Sequence, residues 1–350
     1  MKTADILIIG GGIAGVSLAA ALAGRKRVIL LEREPVLSLH TSGRSAAILV
    51  ESYGAEPVRR WTKESLAFFQ APPKGFADVP LVSPRGAVFV ARAEGVSQMH
   101  TLLRENPGVV HWLSRADAQS RVPILRADLF AEFAEEPNAM DIDVGAFFEG
   151  LRKTAVRGGT ETVTGQEVLG LAYSQGLWCA TTRDSRFCAP VLVNAAGAWA
   201  GRIGALAGLG DRGLTPKRRT AIVFEAPGDV NVSALPFVND VAGEFYFKPE
   251  AGLLLASPAD ETPSEPCDAQ PEEIDVATIA YRIEEATTLT VRSIRRRWAG
   301  LRTFTPDGVP YFAFDEEAEG FFWLVGQGGY GIQTAPAISA RASAMILERV

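Results

Sequence analysis

The chain opens on a run of apolar text. Residues 5–24, DILIIGGGIAGVSLAAALAG, carry a single charge, Asp5, at the first position. A membrane-spanning helix needs about 20 consecutive apolar residues, so count alone would admit a span. The order within the run argues against one. Residues 6–9 are a short apolar stretch rich in β-branched side chains, suited to a buried parallel strand. Gly10, Gly11 and Gly12 would each cost a helix interior roughly 1 kcal/mol relative to alanine. From Ile13 a small-residue helix takes over, and a second apolar strand follows in RVILLERE. A signal peptide would start basic, end at a cleavage site and not continue into that strand. The pattern predicts strand, glycine turn, helix, strand.

Further along, PLVSPRGAVFVAR reads as a β-hairpin and residues 96–104 as helical, while DIDVGAFFEGLRKTAVRGG is an amphipathic helix with an aspartate-rich start. LVNAAGAWAGRIGALAG repeats the buried strand, small-residue turn and helix. From residue 214 to 298 the text alternates, as in RTAIVFEAP and GEFYFKPEAGLLLASP, and predicts antiparallel strands. The close, GFFWLVGQGGYGIQTAPAISARASAMIL, returns to strand, glycine loop and helix. SPADETPSEPCDAQPEE, residues 257–273, is acidic and proline-rich and reads as an exposed loop. The expected class is α/β. A discontinuous dinucleotide domain (1–78, 139–213 and 301–350) is interrupted by an antiparallel-sheet α+β substrate domain (79–138 and 214–300).

Charge and composition narrow the partners. The formal charge of −6 and the lack of a basic tract argue against nucleic acid or an anionic membrane surface. After the first turn no apolar run is long enough to span a bilayer, so stable membrane insertion is not expected. Cys179, Cys188 and Cys267 are widely spaced and odd in number, and read as reduced cysteines of a cytoplasmic protein with no metal site. His40, His100 and His111 are scattered, and neither a G-x-S-x-G nor an H-E-x-x-H motif occurs, so hydrolase machinery is missing.

The spacing Gly10-x-Gly12-x-x-Gly15 carries chemistry. A pyrophosphate must lie against backbone N–H groups at a helix N-terminus, and side chains on Gly10 or Gly12 would hold it off. Glu32 ends the second strand 20 residues after Gly12, where an acid can accept hydrogen bonds from a ribose hydroxyl. This reads as a dinucleotide site but does not separate FAD from NAD.

Three signals together favour FAD: this fingerprint, VLVNAAGAWA (residues 191–200), and GLRTFTPDGVPYF (300–312) paired with GQGGYGIQTAP (326–336). They resemble the D-amino acid oxidase family of flavoproteins, over nearly the whole chain. HTSGRSAA, PKRRTAIVF, YFKPEAG, IEEATTLTVR, WAGLR and GFFWLVGQGGYGIQT are most similar to the family's bacterial FAD-dependent D-arginine dehydrogenases.

The resemblance implies a Rossmann-like, glutathione-reductase-type FAD domain and noncovalent FAD, since residues 41–48 and 328–333 contain no cysteine or histidine. It implies cofactor contacts from Gly10, Gly12, Ile13, Ala14, Gly15, Glu32 and Arg33, and from the loop of Thr41, Ser42, Gly43, Arg44, Ser45, Ala46, Ala47 and Ile48. Val168, Ala196, Gly197 and Trp199 follow, with Gly328, Gly329, Tyr330, Gly331, Ile332 and Gln333 beside the flavin ring. Arg219 and Arg302 match a pair that grips the substrate carboxylate, with Tyr53 and Tyr246 assisting, and the Gly329 carbonyl and Gln333 complete the substrate side. The flavin does the redox chemistry, so no side chain is named as catalytic. Plain readings stand beside these. Arg219, in PKRR, fits a solvated strand cap, and Tyr53 and Tyr246 fit ordinary half-buried aromatics. Arg302, between Leu301 and an apolar strand, needs a partner in any case.

One departure bears on the substrate. Where the D-arginine dehydrogenase pattern has a glutamate for the cationic substrate end, this chain has Ala87; Ile48 and Val50 likewise replace polar residues. The implied reaction is oxidation of D-amino acids, apolar ones favoured over arginine and lysine, to 2-oxo acids and ammonia through an imine. The electron acceptor, oxygen or a quinone or dye, is left open. The alternatives are oxidation of secondary amines such as proline or sarcosine, an FAD carrier without turnover, and an NAD-linked dehydrogenase.

Overall fold

The computed structural model describes residues 1–349. The first apolar run forms the strand Ile6–Ile9, and its alternation explains its uniform hydrophobicity. Ile6 and Ile8 pack into one core with Ile13, Val16 and Leu18, while Leu7 and Ile9 enter another with Trp178, Phe187 and Trp323. A strand covered on both faces has no polar side to show.

This strand lies inside a six-stranded sheet in the order Glu161–Val163, Val28–Leu31, Ile6–Ile9, Val191–Asn194, Phe321–Val325, Tyr311–Phe314. The first five run parallel and the last is antiparallel. Helices Ile13–Ala21, Val144–Arg157, Glu56–Gln70 and Gly331–Leu347 cover one face. A four-stranded sheet of Lys2–Thr3, Arg186–Ala189, Leu177–Thr181 and Gly170–Ser174 covers the other. The chain leaves Ile6–Ile9 toward one side and returns at Val191–Asn194 on the other, so the crevice at their carboxyl ends is a topological switch point.

The second large sheet has nine strands. Its longest pairing joins Thr215–Phe224 antiparallel to Ile294–Phe304, which continues unbroken across position 301. Strand Ala87–Ala91 lies parallel to Phe237–Asp240 and breaks the expected antiparallel order at that one pair. These two strands come from separate excursions of the chain, so no hairpin dictates their relative direction. Asp143 caps the helix Val144–Arg157 by accepting from the N–H of Ala146 at 2.8 Å, as its aspartate-rich start implies.

Three sequence expectations need correction. Residues 80–92 do not form a hairpin: Val82–Pro84 pairs with Met140–Ile142, while Ala87–Ala91 pairs with Glu132–Glu136 and Phe237–Asp240 in the nine-stranded sheet. Cys179 and Cys188 are not reduced: they form a disulfide across the paired strands Leu177–Thr181 and Arg186–Ala189, where they stand directly opposite one another. Spacing along the chain hid a contact made by register. The cysteine argument for a reducing compartment falls with it. The acidic stretch 257–273 is not simply solvated. Ser257 and Ala269 are buried, and its acids pair with arginines of the cavity described below. No helix among the described residues is long and apolar enough to cross a membrane.

Alkylation of the unfolded protein without reductant should therefore modify one thiol, Cys267, and with reductant all three. Three modified thiols without reductant would contradict the pairing.

Candidate functional site

A cavity of about 520 Å³ runs from the switch point to the strand Ile294–Phe304, within the usual range of ligand sites. Its first end is made by backbone. Gly10 has φ +115°, and a Cβ there would lie 2.3 Å from the carbonyl oxygen of Ala195. Gly12 precedes the helix Ile13–Ala21 without a side-chain cap, and the Ile13 N–H donates to Ser42 Oγ at 2.9 Å. Gly12, Ile13, Ala14, Arg33 and Val168 line this end. Glu32 also lines it, its two carboxylate oxygens accepting from the N–H groups of Gly11 (2.7 Å) and Glu34 (2.8 Å). Gly15 and Gly43 serve shape instead. A Cβ on Gly15 would meet the Gly10 oxygen at 1.9 Å, and one on Gly43 the Ser38 oxygen at 2.4 Å.

The middle is walled by Thr41, Ser42, Arg44, Ser45 and Ala46 on one side and by Ala196, Gly197 and Trp199 on the other. The first wall is bolted to the long strand. Thr41 Oγ1 donates to the Leu301 carbonyl at 2.6 Å, Arg44 Nη1 to that of Ala299 at 2.9 Å, and Trp298 Nε1 to that of Arg44 at 2.9 Å.

Arg219, Tyr246 and Arg302 meet at the far end with Gly328, Gly329, Gly331 and Ile332. A Cβ on Gly329 would fall 2.9 Å from both Arg302 Nη1 and Tyr53 Oη, which measures how closely that backbone approaches them. Among the described residues Arg302 has one side-chain hydrogen bond, donating from Nη1 to Tyr53 Oη at 3.5 Å, and forms no ion pair. Desolvation alone would lower its pKa; the phenols of Tyr53 and Tyr246 and the Glu261 carboxylate nevertheless leave it raised. Burial would raise the Tyr246 phenol, but the guanidinium groups of Arg302 and Arg219 outweigh it and leave that phenol below its ordinary value. Arg219 is already partnered, by the Asp260 carbonyl at 2.8 Å and Glu261 at 3.1 Å.

Some expected residues stand back from the cavity. Ala47, with φ +41°, ends the loop beyond it. Ala87 and Val50 are buried, and with Ile48 they pack in one apolar cluster around Phe237 and Tyr246. Tyr330 lies edge-on to Tyr53, its phenol pushed up by burial. The Gln333 side chain accepts from the Val50 N–H at 3.3 Å and donates to Thr62 at 2.8 Å, so it fastens the Val50 segment to the last helix.

Three residues escaped the sequence reading. Gln327 and Thr303 line the same cavity as Arg302, and among the described residues Gln327 Nε2 and Thr303 Oγ1 are buried without a hydrogen-bond partner. Orphaned polar atoms of this kind fit a polar ligand. Glu136, fully buried and paired across strands with Ala87, accepts from the N–H of Glu51 (2.6 Å) and from the N–H (3.3 Å) and Oγ (2.6 Å) of Ser52. Desolvation raises its carboxyl above the ordinary range against the pull of those donors. Through these bonds it fixes the turn carrying Tyr53, a role that no spacing along the chain exposes.

The profile of the family described as FAD dependent oxidoreductase (DAO) matches residues 5–345. The D-amino-acid oxidase of Streptomyces coelicolor is 30% identical over 269 residues, 74% of this chain and 71% of that protein. The glycine oxidase of Geobacillus kaustophilus is 24% identical, covering 95% and 90%. Among solved structures, L-proline dehydrogenase from P. horikoshii superposes with a TM-score of 0.87 at 21% identity over 99% of this chain and 94% of that one.

Glu136→Ala should cost about 1–3 kcal/mol of stability by stranding buried donors, read as a lower unfolding midpoint in denaturant. An unchanged midpoint would remove Glu136 as the anchor of the Tyr53 turn.

Proposed function

We propose that this chain, which belongs to the FAD dependent oxidoreductase (DAO) family, oxidises D-amino acids with apolar side chains to 2-oxo acids and ammonia. FAD is its cofactor, and the cavity fits it on two counts: Gly10 and Gly12 open it at a helix N-terminus without side chains, and polar atoms within it lack partners. In this reading the N-terminus of the helix Ile13–Ala21 with Gly10 and Gly12 takes the pyrophosphate, Glu32 the ribose, Val168 the adenine, and residues 41–48 and 328–333 flank the ring. FAD, when bound, would supply the two-electron oxidation of the substrate amine, and water would hydrolyse the resulting imine to the 2-oxo acid and ammonia.

The observation that carries the reading is Arg302, a desolvated guanidinium with no carboxylate partner facing the cavity. A bidentate carboxylate suits its planar fork. Tyr53 and Tyr246 flank it and donate to the same carboxylate, while the Gly329 carbonyl accepts from the α-amino group. The family likeness extends to relatives named for glycine and D-amino acids. A secondary amine presents the same carboxylate, and a structure named for L-proline shares the fold; turnover of proline or sarcosine above every D-amino acid would favour that alternative.

The side-chain preference rests on the apolar packing of Ala87, Val50, Ile48 and Tyr246. Glu136, the buried acid beside Ala87, has its oxygens engaged by Glu51 and Ser52, so it offers no free carboxylate to a guanidinium. An unpaired guanidinium reaching the Tyr246 wall that this cluster backs would lose its hydration without return, whereas each buried methylene of leucine gains about 0.8 kcal/mol.

Arg302→Ala should lower kcat/KM by roughly 30-fold to several thousand-fold, the measured range for losing one partner of a buried charge pair. It should keep its FAD, and acid precipitation should release that FAD as it does from wild type. Activity within about threefold of wild type would remove the clamp. In a side-by-side comparison D-leucine should exceed D-arginine in kcat/KM, and Ala87→Glu should raise the value for D-arginine; a wild-type enzyme preferring D-arginine would defeat the apolar reading.

A further inference from the structure

We infer that Glu261 sets the charge that the substrate site accepts: one carboxylate and no second anionic group. The inference rests on the reading of Arg302 as a carboxylate anchor and adds the substrate's charge class. Register supplies the first observation. Lys217 stands opposite Arg302, and Arg219 opposite Gly300, on the paired strands Thr215–Phe224 and Ile294–Phe304. Directly opposed residues share a face, and so do residues two apart. Lys217, Arg219 and Arg302 therefore point to one side. Arg218 points to the other, where Glu272 and Asp275 hold it.

Three cations on one face would favour a multiply charged anion. One acid prevents that. Glu261 lies 3.1 Å from Arg219 Nη2 and 2.9 Å from Lys217 Nζ. Its position is fixed by its neighbour: the Asp260 carbonyl accepts from Arg219 Nε, and the Asp260 carboxylate accepts from the Thr220 N–H at 2.6 Å and Oγ1 at 3.1 Å. The other cations lining the cavity also have acids, Arg33 with Glu34, Arg44 with Asp268 and Arg202 with Glu265. Among the described residues lining the cavity, Arg302 is the cation left uncompensated. A monocarboxylate neutralises it. A second anionic group would meet either the apolar cluster around Ala87 or the field of Glu261, which reaches Arg302 and Tyr330. Glu261 is itself exposed, so its effect weakens with salt.

The test is ligand binding to the FAD-loaded protein, followed by perturbation of flavin absorbance at low ionic strength and mildly alkaline pH. The probes are acetate and malonate, the latter a dianion there. Wild type should bind acetate more tightly than malonate, with the difference shrinking as salt rises. Glu261→Gln should shift the ratio of the two dissociation constants toward malonate by about tenfold, and Glu261→Ala should do the same. A ratio that moves less than about twofold, equal tightening of both anions, or no perturbation by either anion overturns the inference. Turnover is not needed for this reading: a protein that oxidises no amino acid but keeps the acetate preference and its loss in Glu261→Gln would defeat the proposed reaction and uphold the role of Glu261.

Discussion

Strand Ile294–Phe304 is the part on which both halves of the molecule bear. Along one edge it pairs with Thr215–Phe224, register holding from Thr215 opposite Phe304 to Val223 opposite Arg296. Thr41 and Arg44 of the cofactor-side loop donate to its carbonyls, and its Trp298 indole donates back to Arg44. The loop after Phe321–Val325 closes on it too, with the Gly328 N–H donating to the Thr303 carbonyl at 2.8 Å. Arg302 is thus held by backbone geometry on three sides. The backbone from which the guanidinium extends is therefore in place before any ligand arrives, a form of preorganisation.

The desolvated charge at that position explains why its neighbours look as they do. Tyrosines rather than carboxylates flank Arg302, and they turn hydroxyl dipoles toward it without cancelling its charge. Gly329 lets backbone approach to contact distance, where any side chain would strike the guanidinium. A half-buried charge left without a carboxylate is a costly feature. Arg302 lines a cavity that also holds the unpartnered Gln327 and Thr303 atoms, which is the basis for proposing it as a site.

Much of this was legible in the sequence, for definite reasons. The turn at Gly10, Gly12 and Gly15 could be read from its spacing, and the structure shows why two of the three must be glycine: a Cβ would lie 2.3 Å from backbone at Gly10 and 1.9 Å at Gly15. The α/β class followed from strands buried on both faces alternating with helices. Arg219 and Arg302 could be named singly, but that Lys217 joins them depends on strand register, which a linear pattern does not carry. The same limit hid the Cys179–Cys188 bond and the Glu136–Ala87 pairing. The acidic stretch 257–273 was misread because composition reports charge and not partners. Asp260, Glu261 and Asp268 look solvated until the arginines they meet are in view.

The central claim is that Arg302 recognises a carboxylate and so places the substrate for oxidation. It can be tested by rapid anaerobic mixing of the FAD-loaded protein with D-leucine and, separately, with D-leucinamide, following loss of flavin absorbance. The two differ only in the group that Arg302 would hold. The account predicts rapid bleaching by the acid and bleaching by the amide at least about 30-fold slower. Equal rates would contradict it, and would leave the lone guanidinium of Arg302 without the role assigned to it.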